Sequence, residues 1–212
     1  MNYNYIAIEG TIGAGKTSLA AMLAEEFNAR LIPEQFEDND FLPKFYKDPS
    51  KYAFPLELSF LASRFQQLKN ELSVNDLFKS FTISDYFINK SLIFARQTLA
   101  DDEYALYSKL FSIINLSLPR PDLLVYLYLS VDQLRTNILK RGRPYELDIK
   151  NEYLTKIQSG YFEYIRQQTD TRILIIDTSK LDFVSDPVHY QLIKSIIMKE
   201  YPVGTHTIDP FI

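Results

Sequence analysis

Apolar residues fall along this chain in two patterns. Short unbroken runs bounded by turn-forming residues occur at Tyr5–Glu9, Ala29–Pro33, Phe81–Ser84, Leu123–Ser130 and Arg172–Ile176. Apolar at nearly every position rather than every second one, such runs predict strands buried on both faces. Between them apolar positions recur at helical spacing, as with Leu19, Met22, Leu23 and Phe27. That spacing predicts helices over Thr17–Phe27, Phe54–Leu72, Asp101–Leu118, Val131–Lys140, Asn151–Gln168 and Asp186–Tyr201. Strands alternating with helices imply an α/β protein with a parallel sheet covered on both faces. Residues 202–212 carry no pattern that predicts an element. No repeat, low-complexity tract or flexible linker divides the 212 residues, so a single domain over 1–212 is expected.

Composition excludes several classes. Hydrophobic residues make up 46% and charged residues 24%, which is incompatible with wholesale disorder. The longest apolar run, Leu123–Leu129, is too short to cross a bilayer. Met1 is followed at once by a strand-like stretch, with no basic segment or apolar leader, so a cytoplasmic protein without a membrane partner is expected. The absence of cysteine removes disulfides, thiolate metal sites and a cysteine nucleophile. Lys+Arg 23 against Asp+Glu 27 gives a net charge of −4, which argues against broad binding of nucleic acid.

The strongest chemical signal lies just after the first strand. Gly10-Thr11-Ile12-Gly13-Ala14-Gly15-Lys16-Thr17 satisfies every fixed position of G-x-x-x-x-G-K-[ST], and Ser18 continues it into the helix. Glycines let successive backbone N–H groups turn inward around phosphate oxygens, and the adjoining helix points its positive end at them. Lys16 can reach the β- and γ-phosphates, and the Thr17 hydroxyl can ligate Mg²⁺. A GTPase would add a base-reading N-K-x-D. Asn89-Lys90-Ser91-Leu92 lacks the aspartate, and a small-molecule kinase fits the length better than a motor or helicase.

Two acids, Glu34 and Asp85, directly follow predicted strands, where open parallel sheets present ligand-binding groups. A kinase acting on an alcohol needs a carboxylate to accept the hydroxyl proton and gains from a second that holds Mg²⁺. Strand-end acids also serve as helix caps or solvated loop charges. The run Glu37-Asp38-Asn39-Asp40 resembles a metal cluster but reads better as a solvated turn, with Asn39 or Asp40 capping the next stretch of chain. Lys140, Arg141 and Gly142 suit a helix C-terminus. Arg143, beyond the glycine, suggests a lid whose guanidiniums close on a transferring phosphoryl group. His189 and His206 lie far from these motifs and read as surface or packing residues.

Together these residues resemble the deoxyribonucleoside kinases, in particular the bacterial deoxyguanosine kinases. The likeness spans Tyr5 to about Phe183 and includes IAIEGTIGAGKT at 6–17, EQFEDNDFLPKFY at 34–46, LELSFLASRFQQL at 56–68, ISDYFINKSLIFA at 83–95 and KRGRPYE at 140–146. The resemblance implies a P-loop kinase fold with a five-stranded parallel sheet of order 2-3-1-4-5, ATP as donor with Mg²⁺, a deoxynucleoside acceptor and a homodimer. It also implies site roles: Glu34 as general base, Tyr46 and Glu146 on the sugar 3′-hydroxyl, Glu57 and Arg64 on the base edge, and Phe94 packing on the base. Arg141 and Arg143 become lid arginines, Thr17 and Asp85 the metal side, and Asp177–Phe183 the loop over the adenine of ATP. Two positions depart from the wider pattern. Asp85-Tyr86-Phe87 stands where many relatives have acid-Arg-Ser, a departure shared by the bacterial deoxyguanosine kinases. Asn137 replaces a common lid-helix arginine, for which Arg135 is a candidate substitute.

Glu57 and Arg64 are seven residues apart on a predicted helix and so share a face. An ionised carboxylate only accepts hydrogen bonds, matching guanine N1–H and its 2-amino group, while O6 and N7 suit a guanidinium. The plainer alternative pairs Glu57 with an arginine on the helix surface. The expected activity is transfer of the γ-phosphoryl group of ATP to the 5′-hydroxyl of a purine deoxynucleoside, most consistent with deoxyguanosine. Rival readings are a deoxyadenosine/deoxycytidine kinase, a thymidylate-kinase-like monophosphate kinase, and a P-loop nucleotide sensor without turnover.

Overall fold

The computed structural model describes residues 3–35, 39–73 and 76–212. Its strands are β1 (Tyr5–Gly10), β2 (Arg30–Ile32), β3 (Thr82–Ser84), β4 (Leu123–Tyr128), β5 (Arg172–Asp177) and β6 (Gly204–Ile208). They form one sheet of order β2-β3-β1-β4-β5-β6, parallel at every pairing. The first five strands take the expected order, but six strands replace the expected five. Only Ile208 is strongly apolar in β6, so no hydrophobic run marks this strand. Its backbone joins the edge of β5, from Arg172 beside Gly204 to Ile176 beside Ile208.

The helices are α1 (Lys16–Glu26), α2 (Leu42–Lys47), α3 (Pro49–Leu72), α4 (Lys90–Thr98), α5 (Asp101–Asn115), α6 (Val131–Arg141), α7 (Asn151–Gln167) and α8 (Pro187–Ile197). A single 3₁₀ turn covers Pro144–Glu146. Ile6 and Ile8 of β1, with Val125 and Leu127, pack beneath Leu19 and Leu23 of α1 and Leu134 of α6. Tyr5 and Ala7 point the other way, with Tyr126, onto Ile157 and Tyr161 of α7. This is the strand alternation of a sheet covered on both sides. A further cluster joins Leu42, Phe45, Leu56, Phe60 and Tyr107 from α2, α3 and α5.

Three helical expectations are corrected. α3 starts at Pro49 rather than Phe54, because Asp48 caps it by accepting from Lys51 N–H (3.3 Å) and proline suits a first helical turn. α2, six residues long, has no counterpart among the expected helices, and neither has α4. The inward face of α4 carries Lys90 and Ser91 beside Ile93 and Ala95, which hides the apolar periodicity. Among the described residues, no helix is long and apolar enough to cross a membrane.

Candidate active site

β1 delivers the chain into the glycine-rich loop, and α1 starts at Lys16. Gly13 and Gly15 adopt left-handed φ values of 89° and 85°. A Cβ on Gly13 would lie 2.7 Å from the Leu134 carbonyl oxygen, and one on Gly15 would lie 2.9 Å from the Phe183 ring. Both conformation and space therefore require glycine. Gly13, Ala14, Gly15, Lys16, Thr17 and Ser18 line an open cleft of about 1110 Å³. Gly10, Thr11 and Ile12 do not line it. Gly10 N–H donates to Glu9 Oε2 (3.2 Å), the Thr11 hydroxyl shares a hydrogen bond with that of Tyr126 (3.2 Å), and Ile12 borders the neighbouring pocket. Lys16 Nζ folds back onto the carbonyls of Gly10 (2.8 Å) and Thr11 (3.2 Å). Burial, reinforced by the charge of Lys90, lowers its pKa to about 8.

Glu34 and Asp85 come together beside this loop. Asp85 accepts from the Thr17 hydroxyl through Oδ2 and from Glu34 N–H through Oδ1 (2.6 Å). Among the described residues no group of three or more metal-binding side chains exists. A hydroxyl next to one carboxylate nevertheless fits Mg²⁺, which takes few protein ligands and draws the remainder from phosphates and water. Glu34 Oε1 accepts from Arg64 Nε (3.0 Å) and Nη2 (2.8 Å), and its Oε2 from Lys90 Nζ (2.6 Å). Burial would raise this carboxyl, but Lys90 and Arg64 outweigh it and hold its pKa down to about 2.

Behind Glu34 lies a pocket of about 110 Å³, an order of magnitude smaller than the cleft. The expected acceptor residues Tyr46, Glu57, Arg64, Phe94 and Glu146 all line it. Glu57 is only 2% exposed, so the surface-pairing alternative is excluded. Its Oε1 accepts from the Thr98 hydroxyl (3.0 Å), while its buried Oε2 has no hydrogen-bond partner. Burial raises Glu57 to about 7 against the opposing pull of Arg64 and Thr98. Arg64 Nη1 donates to Ser91 Oγ (2.9 Å). With Nε and Nη2 on Glu34, that leaves Arg64 one further N–H on each terminal nitrogen. Phe94 meets Tyr161 edge-on at 6.3 Å and lies under the Lys90 ammonium. Tyr46 stacks on Tyr145 at 6.4 Å.

The segment after α6 carries both expected lid arginines. Gly142 caps the helix with φ 71°. Arg141 and Arg143 both turn to the buried Glu146, through an Arg141 Nη2–Oε2 bond and an Arg143 Nη1–Oε1 approach of 3.5 Å. Arg135 donates to the carbonyls of Ile149 (2.7 Å) and Leu147 (2.6 Å) and lines neither pocket, so it does not replace the missing lid arginine. Asn137 instead braces the glycine loop by donating to the Gly13 carbonyl (2.8 Å). In the 177–183 loop, Gln133 Nε2 donates to the Ser179 carbonyl (2.7 Å), and Thr178, Ser179, Leu181, Asp182 and Phe183 line the cleft.

Tyr86, in place of an arginine, is buried and donates to Gln67 Oε1 (2.7 Å). Asn39 Oδ1 accepts from Phe41 N–H (3.0 Å) in a local turn, but α2 has no side-chain cap, so neither Asn39 nor Asp40 caps it as expected; Glu37 and Asp38 lie outside the described residues. His189 packs edge-on to Phe211 and His206 rests on Tyr201, both in packing roles.

Sequence reasoning missed Lys90 and Glu9. In the sequence Lys90 stands out only as part of an incomplete base-reading motif. Its place four residues before Phe94 was the available signal. Glu9, fully buried, accepts from Phe87 N–H (3.0 Å) and the Tyr161 hydroxyl (2.7 Å), and so ties the end of β1 to the segment after β3 and to α7. An acid ending an apolar strand was its only mark.

The deoxynucleoside kinase family model matches residues 6–201. The chain is 38% identical to deoxyguanosine kinase of Bacillus subtilis, covering 89% of this chain and 93% of the relative. It is 34% identical to deoxyadenosine kinase of Dictyostelium discoideum, covering 90% and 78%. The structure of deoxyadenosine kinase from M. mycoides with bound dATP superposes with a TM-score of 0.79 at 26% identity, covering 92% of this chain and 99% of that one. Matched over nearly its whole length, this chain belongs to the deoxynucleoside kinase family and is an ATP-dependent phosphotransferase.

Proposed function

We propose that the protein transfers the γ-phosphoryl group of ATP to the 5′-hydroxyl of a purine deoxynucleoside, with deoxyguanosine preferred. The observation that carries the substrate assignment is the unpartnered, buried Oε2 of Glu57 in the inner pocket. A buried acceptor left unpaired costs about 1–3 kcal/mol, which a ligand offering N–H donors recovers. Guanine presents two parallel donors to a carboxylate, and the free N–H groups of Arg64 suit its O6 and N7. The deoxyguanosine kinase of Bacillus subtilis, among the relatives, accords with this reading.

In this reading ATP occupies the large cleft, its phosphates on the backbone of Gly13–Ser18 and on Lys16. Mg²⁺, held by Thr17 and through Asp85, would neutralise phosphate charge when bound. Glu34 orients the 5′-hydroxyl and accepts its proton as that oxygen bonds to the γ-phosphorus and the bond to ADP breaks. A carboxylate near pKa 2 is a weak base, but a hydroxyl attacking phosphorus becomes acidic late in the step, so ionisation and position matter more than basicity. Arg141 and Arg143 leave Glu146 for the transferring group, freeing Glu146, with Tyr46, for the sugar 3′-hydroxyl. The reading extends to a homodimer, supported by the exposed Leu106 and Ile113 on α5. An ADP-release assay over the four deoxynucleosides and their monophosphates tests it. Highest kcat/KM is expected on deoxyguanosine. Turnover confined to monophosphates, or to pyrimidine nucleosides, overturns it.

A further inference from the structure

Resting on that purine reading, the inner pocket supports a sharper statement about how one carboxyl discriminates between bases. Glu57 has one oxygen committed to the Thr98 hydroxyl and the other buried without a partner. Guanine offers two donors side by side, N1–H and the 2-amino group, and both need acceptors. Adenine offers one donor, its 6-amino group, beside the lone pair of N1. Against adenine, an ionised carboxylate sets two lone pairs face to face, whereas a protonated one donates to N1 and accepts from the amino group.

We propose that Glu57 reads guanine as the carboxylate and adenine as the carboxylic acid, so that the purine preference of this enzyme is coupled to the uptake of one proton. Binding deoxyadenosine takes up a proton whenever the empty pocket is ionised. Binding deoxyguanosine releases one whenever the empty pocket is protonated. The final states differ by one proton whatever the starting state, so the ratio of the two dissociation constants changes by about tenfold per pH unit. The slope is independent of the pKa of Glu57 in the empty protein. A proton residing on adenine N1 instead gives the same stoichiometry and the same slope.

The surroundings permit both states. Burial raises Glu57 to about 7, which keeps acid and carboxylate forms accessible near neutrality. The groups that face it electrostatically are Arg64 on its own helix, Lys90 and Thr98 on α4, Tyr46 on α2, Tyr107 on α5 and Tyr153 on α7. Burial raises all three tyrosines above their ordinary range, so they stay neutral around pH 7. Glu34, held at about 2, stays ionised, and titration of Lys16 near 8 acts on both purines alike and cancels in the ratio.

The test is calorimetric titration of the wild-type protein, without ATP, with deoxyguanosine and deoxyadenosine at pH 6, 7 and 8. Repeating it in two buffers of different ionisation enthalpy counts the protons. The ratio of Kd for deoxyadenosine to Kd for deoxyguanosine should rise by about a hundredfold from pH 6 to pH 8. In Glu57→Gln, whose amide carries one donor and one acceptor at every pH, the ratio should be flat and shifted toward deoxyadenosine. A flat wild-type ratio overturns the proton coupling. If deoxyguanosine then still binds more tightly than the pyrimidine nucleosides, the purine reading stands without it. Failure of both purines to bind overturns coupling and purine reading together.

Discussion

On the proposed reading the crevice has a donor half and an acceptor half, and the two are built from different materials. The donor half relies on backbone: glycines in left-handed conformations and a helix start, with one lysine folded onto the loop it serves. The acceptor half relies on buried side chains already engaged with one another, Glu34 with Arg64 and Lys90, Glu146 with both lid arginines. Phosphates are common to every nucleotide, and main-chain donors suffice to hold them. A sugar and base have to be singled out, which requires placed side chains. Replacing an acceptor residue therefore leaves a buried partner unsatisfied, whereas the donor half is sensitive chiefly to shape.

The largest effect is expected where that interlocking is tightest. Glu34→Gln should lower kcat by roughly 10²–10⁴-fold, the usual worth of a positioned proton acceptor. It should also destabilise the fold by about 3–5 kcal/mol, because two buried cations lose their counter-charge. With its pKa depressed in the folded protein, Glu34 contributes stability that is full above its ordinary value of 4.5 and fades as pH falls toward about 2. Urea unfolding at pH 7 and pH 3 measures both points. A variant as stable as wild type and retaining half its kcat would move the base to Asp85.

Next comes the seam between the halves. Arg141→Ala and Arg143→Ala should each lower kcat by roughly 10²–10³-fold and leave the KM for ATP within a few-fold, as for groups whose partner charge develops in the transition state. Steady-state kinetics in both substrates decides this. Effects confined to the KM for ATP would make them ordinary donor-side contacts and erase the seam.

The smallest effect lies on the donor side. ATP phosphates restore the full charge of Lys16, so ATP binding should take up protons where the empty site has lost them. The Kd for ATP should rise by roughly tenfold between neutrality and pH 9, with the bend near pH 8. In Lys16→Arg, whose guanidinium does not titrate, the bend should vanish. A wild-type protein with a flat profile would show that the lysine keeps its proton throughout.

The same contrast governs what could be read from the sequence. The glycine loop was legible because its requirements are local: left-handed φ, close approach and a helix start fall within eight consecutive residues. The strand order came from family likeness, because order depends on pairings between distant segments. Glu34 and Asp85 were marked by their places at strand ends, but their link through Glu34 N–H joins residues 51 apart in the chain. Lys90 escaped notice because a buried cation on a helix looks, letter by letter, like a solvated one. Glu57 could be placed on the right face by spacing, but its unpartnered oxygen is a property of the packed pocket. α4 was lost for a related reason, since a helix that turns polar groups inward has no apolar stripe to count.

The sixth strand has a consequence for how long the chain can remain in solution. β5 is apolar along Ile173–Ile176, and β6 covers the edge that it would otherwise present. β6 is only 5 residues long, which makes it a poor template for another strand. The family model matches residues 6–201, and β6 begins after it at Gly204. A chain cut after Tyr201 would keep its cleft and inner pocket while exposing an unpaired hydrophobic strand. Such a protein would be lost first to self-association through the open edge of β5, with the chemistry of its active site still intact.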